Sequence, residues 1–168
     1  MDLLAAAGRT ELLSDMRGAI AAQLDWKIDD ERFDQLMLVA HAAAGNDDEV
    51  RDRLADGEAS LQSYRAAIRG YANSTQQMHK AVDCLSRMNM AGRPVCPTIV
   101  AELIRQTRRN AGDVLELVTQ LGENLDLSAA VAQEMVQVCL EGRSMDAVAR
   151  VEEIATERGI VLPTKTYE

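Results

Sequence analysis

Three observations predict an all-α fold, specifically an elongated helical bundle built on a long antiparallel, coiled-coil-like hairpin. Proline is absent from residues 1–93, while Ala, Leu, Arg, Glu and Gln are abundant, so nothing there opposes helix. Strand signals are nearly missing: the β-branched runs Thr98-Ile99-Val100 and Ile160-Val161 do not alternate with polar residues. Apolar residues recur at 4-3 spacing over two long stretches.

The elements follow in order. Thr10 is a suitable N-cap for a first helix with Leu13, Met16, Ile20 and Leu24 on one stripe. Asp29 or Asp30 can cap a second, with Phe33, Leu36, Met37, Ala40 and Ala44 on one side and Gly45 ending it. These two N-terminal helices occupy 10–45. Val50, Leu54, Gly57, Leu61, Tyr64, Ile68, Tyr71, Thr75, Met78, Val82 and Leu85 then form a heptad seam, apolar except at Gly57 and Thr75. Gly92-Arg93-Pro94 breaks it, and Pro97 can restart helix at N1.

The alternation resumes at Val100, Ile104, Thr107, Ala111, Val114, Val118, Leu121 and Leu125. It continues through Ala132, Met135 and Cys139, with Ser128 in a register position. The hairpin therefore spans 47–141 with its turn at 91–97. Its arms, 47–90 and 98–141, are each 44 residues long, or roughly 66 Å if continuous. Asp56-Gly57 and Leu125 to Ser128 are the places where an arm can turn or kink. A last helix starts at Ser144 and packs Val148, Val151, Ile154 and Ala155 inward. Ile160 to Leu162 are expected to fold back, which closes a C-terminal element over 144–162. The whole chain, 1–168, reads as a single domain without an internal sequence repeat.

Composition excludes several classes. The 47% apolar content is too high for a disordered chain, and three cysteines are too few for a disulfide scaffold. No apolar run reaches the ~18 residues of a membrane span. Asp2 and the short apolar run Leu3–Ala7 do not make a secretory signal, so a cytoplasmic location with reduced thiols is expected.

Charge is uneven. Residues 1–60 carry 14 acidic and 6 basic groups, residues 61–110 carry 2 and 8, and residues 111–168 carry 11 and 4. The hairpin would gather Lys80, Arg87, Arg93, Arg105, Arg108 and Arg109 into a basic tip, suited to an acidic protein surface. Nucleic acid is a weaker expectation: the net charge is −9 and the tip has no aromatic residue for base stacking. Arms of this length leave apolar surface uncovered, which predicts a homodimer.

Catalytic constellations are scarce. His41 and His79 stand apart, Cys84, Cys96 and Cys139 form no C-x-x-C, and Glu-x-x-His does not occur, so neither metal nor cofactor is expected. No Gly-x-Ser-x-Gly or Walker loop is present. A lone His79 is a weak phosphoacceptor candidate. Acid and amide lie one helical turn apart at Glu58/Gln62, Glu102/Gln106 and Glu116/Gln120. Such a pair can hold a metal-bound phosphoryl group and orient water, the logic of helical response-regulator phosphatases; it can equally just support the helix.

Residues 30–71, through Leu54, Leu61 and Tyr64, resemble short helical domains of anti-sigma regulators. Size, acidity and helicity resemble secretion and flagellar chaperones. Neither resemblance carries a motif, so neither assigns a site. The expected function is a non-catalytic interaction module: an adaptor, regulator or secretion-type chaperone.

Overall fold

The computed structural model describes residues 1–24, 29–55, 59–73, 75–107 and 111–163. Every regular element among them is helical. The chain forms two compact units, Met1–Cys84 and Leu85–Glu168.

The first unit contains α1 (Asp2–Ala6), α2 (Thr10–Leu24), α3 (Asp30–Ala44), α4 (Asp47–Ala55), α5 (Leu61–Ala72) and a 3₁₀ turn at Thr75–Gln77. It also holds the start of α6 (Met78–Met90). Local chemistry sets these boundaries. The Asp29 carboxylate accepts the Glu31 N–H and caps α3. Gly45 ends α3 in the left-handed region at φ 78°, donating to Ala42 O while Asn46 donates to His41 O. The Ser60 hydroxyl accepts the Ser63 N–H at 3.1 Å and opens α5.

The core of this unit is α3 against α5. Phe33, Leu36, Met37 and Ala40 are buried with Tyr64, Ala67, Ile68 and Tyr71. At Gly70 the helices nearly touch: a Cβ there would lie 2.5 Å from both Val39 O and Ala42 Cβ.

The second unit contains the rest of α6, then α7 (Pro97–Thr107), α8 (Ala111–Asn124), α9 (Ala129–Glu141) and α10 (Met145–Glu157). Pro97 opens α7, and the Ser128 hydroxyl caps α9 by accepting the Val131 N–H at 3.3 Å. Ser144 precedes α10 without a side-chain cap. α7 packs on α9, and α10 packs on both α8 and α9. Val100, Ile104, Val118, Leu121, Met135 and Val151 are fully enclosed. The Arg158 guanidinium donates to the carbonyls of Gly122 and Leu125, tying the end of α10 to the end of α8.

The two 44-residue stretches, whose continuity the sequence leaves open, are each divided among successive helices. The first stretch is divided between α4, α5 and α6, and the second between α7, α8 and α9. Ser60 and Ser128 stop helix because their hydroxyls serve the N–H groups of the next helix as caps. Among the seam side chains described, all are nonetheless buried except half-buried Leu54 and Leu61 and exposed Ser128. Of the residues expected to fold back, Ile160 and Leu162 are half-buried, with Ile160 N–H closing on Ala155 O, whereas Val161 is 83% exposed. Gly142 does not supply the left-handed residue after α9; Arg143 does, at φ 56°.

A helix pair recurs in the chain order. The leading helices α3, α5, α7 and α9 begin at 30, 61, 97 and 129, and the following helices α4, α6, α8 and α10 at 47, 78, 111 and 145. Within each unit one leading helix packs on the next, α3 on α5 and α7 on α9. Recurrence every ~31–36 residues is the spacing of two-helix repeat units.

Candidate functional site

Two members of the basic block, Lys80 and Arg105, are engaged by carboxylates of their own chain. Lys80, in the first unit, places its Nζ 2.7 Å from Asp47 Oδ2 and 5.8 Å from the centre of the Tyr71 ring. The Tyr71 hydroxyl donates to Asp47 Oδ1 at 3.1 Å. Asp47 thus sits in the first turn of α4 with both oxygens accepting. Partial burial alone would raise its carboxyl above the usual 3.8. The hydrogen bonds from Lys80 and Tyr71, with the charges of Lys80 and Arg51, outweigh it and hold the pKa lower.

Arg87, Arg93 and Arg105 belong to the second unit. Arg87 is exposed on α6, and Arg93 is half-buried between α6 and α7. Arg105 on α7 lies 3.8 Å from Glu134 and 3.6 Å from Glu141, both on α9. Arg108 and Arg109 lie outside the described residues.

The acid–amide pairs differ from one another. Gln120 Nε2 donates to Glu116 Oε1 at 3.1 Å, so here the amide occupies the acid. Gln106 has its Oε1 buried without a hydrogen-bond partner, next to half-buried Glu102 on α7. Glu58 lies outside the described residues, and Gln62 is exposed on α5.

His79 is exposed on α6. His41 closes the last turn of α3, with Nδ1 3.4 Å from Asn46 Nδ2. Burial and the Arg53 charge lower its pKa below the usual 6.5, against the opposing charge of Glu49. Cys84 and Cys139 are buried thiols, and the half-buried Cys96 places its Sγ 2.9 Å from Thr98 Oγ1. Among the described residues no three His, Cys, Asp or Glu side chains are grouped to hold a metal ion. Among the same residues no helix is long and apolar enough to cross a membrane.

Two features escaped the sequence reading. One is the Asp47–Tyr71–Lys80 cluster, whose members are 24 and 33 residues apart. The other is α2. Its expected inward stripe was Leu13, Met16, Ile20 and Leu24. Of the side chains described on this helix Leu13 alone is buried, while Leu12 is 49% and Met16 37% exposed. The adjacent pair Leu12-Leu13 was the available signal, because two neighbouring leucines cannot both face one side of a helix. No family model matches the chain, and no curated protein is significantly similar to it.

Proposed function

We propose that the protein is a non-catalytic helical interaction module that binds a protein partner through its helical faces. The recurring helix pair carries this reading. Repeat units of this size bury one face against their neighbours and leave another for a ligand, and their usual work is binding. Among the acid–amide pairs considered for chemistry, Glu116 is already engaged by Gln120.

The test is affinity capture from native lysate after brief cross-linking, with and without nuclease. Specific co-purification of the same proteins in both arms is the expected result. An empty eluate at micromolar bait would refute the reading.

The same recurrence favours one second reading. Helical repeats also bind single-stranded nucleic acid, one unit to a base, and residues 61–110 hold 8 basic groups against 2 acidic. On that reading capture disappears with nuclease. Binding of single-stranded RNA would fall steeply with salt and with Arg87→Glu and Arg93→Glu together.

A further inference from the structure

Helix α2 leaves apolar side chains on its outward side. It packs on α1 and α3, yet Leu12 and Met16 stand in solvent with Ala19, at i, i+4 and i+7 on one strip. Exposed Glu11 and Asp15 border it, and among the described residues no cation pairs with either. Arg17, the one basic residue within α2, is turned away: it pairs with Asp30 and lies 4.3 Å from the centre of the Phe33 ring.

From this arrangement, and resting on the interaction-module reading above, we infer that α2 is a docking surface for a cationic amphipathic helix of a partner protein. The chemistry selects this occupant. Apolar anchors at one-turn spacing match a helix that carries its own apolar strip. Ala19, within the strip, lets a second backbone come close. The acidic border attracts Lys or Arg flanking the partner's strip and repels an anionic lipid surface. A second copy fits poorly, since two such faces would set Glu11 and Asp15 against their own kind.

The experiment uses the full chain and a synthetic 18-residue helix with Leu at i, i+4, i+7 and i+11 and Lys or Arg elsewhere. A scrambled peptide of the same composition serves as control. Binding is followed by fluorescence anisotropy. The amphipathic peptide should bind at least about ten-fold more tightly than the scrambled one. Leu12→Glu with Met16→Glu should weaken it by about ten-fold or more. Glu11→Lys with Asp15→Lys should weaken it by several-fold and flatten its salt dependence. Because these side chains are exposed, unchanged helicity by circular dichroism controls for folding.

Equal affinity for the two peptides would overturn the inference, as would equal binding by the Leu12/Met16 variant. So would a wild-type dimer at micromolar concentration that the same variant dissolves, which would make the occupant a second copy. Captured partners that the variant retains would overturn this inference and leave the interaction-module reading intact. An empty wild-type capture would overturn that reading itself.

Discussion

Gly70→Ala tests how closely α3 and α5 are joined. Normally alanine for glycine inside a helix is favourable by about 1 kcal/mol. Here the new methyl would sit 2.5 Å from Val39 O, 2.5 Å from Ala42 Cβ and 3.1 Å from Val39 Cα. Two of those atoms are backbone, and no side-chain rotation can clear them. α3 must shift by roughly an ångström, in the core of its unit. Such overpacking costs about 3 kcal/mol at the upper end of its usual range. The balance is a loss of roughly 2 kcal/mol, or about 4–8 °C in Tm for a chain of this length.

Urea denaturation followed by circular dichroism at 222 nm measures this, with Gly18→Ala as the matched control. Gly18 lies in a helix interior with open space around it. The same substitution there should therefore stabilise, by about 0.5–1 kcal/mol. A Gly70→Ala protein as stable as wild type would refute the close approach. Adding Ala42→Gly should recover only part of the loss, because Val39 O remains in place.

Gly122→Ala meets the far end of a side chain, Ile154 Cδ1. The pair Gly122→Ala with Ile154→Val should accordingly be more stable than the sum of the single changes by about 1 kcal/mol, and strict additivity would contradict the contact. Arg143→Gly relieves a left-handed residue at φ 56° and should raise stability by about 1 kcal/mol; a loss would mean that the arginine side chain holds structure. Since His41 has a folded pKa below 6.5, the stability it lends is complete above that pH and is lost as pH falls through the folded value. Unfolding free energy should fall less steeply between pH 7 and 5 in His41→Gln than in wild type; parallel curves would count against it. Asp47, with its pKa held below 3.8, contributes stability that is complete above that pH and lost as pH falls through the lower folded value, so Asp47→Asn should flatten the acid limb.

The helical class and the buried stripes were legible because burial imposes periodicity, and the 4-3 spacing records it. Continuity was not legible, for a physical reason. Leu54 to Leu61 and Tyr71 to Met78 are each seven residues apart, so the seam keeps its register while the chain leaves one helix and enters another. The break sites still left a mark. Thr75 lies in the 3₁₀ turn and Ser128 is a cap, while Gly57 lies outside the described residues. These are the three non-apolar register positions other than Thr107, which stays inside α7 by donating its hydroxyl to Leu103 O.

The recurring helix pair was hidden because its members share positions of burial and not residue identities. The candidate surfaces were less legible still. Which of Leu12 and Leu13 faces inward depends on how α2 rests on α3. The Asp47–Tyr71–Lys80 cluster depends on three elements converging.

The packing of α3 on α5 and of α7 on α9 also bears on how the chain reaches its native state. Partners begin 31 and 32 residues apart in sequence, so every core-forming encounter closes a short loop. Loop closure of that length is quick and entropically cheap. Local topologies of this kind fold in microseconds to milliseconds. Structure can therefore grow from either unit during synthesis, as soon as two successive leading helices have emerged, without waiting for the far end of the chain.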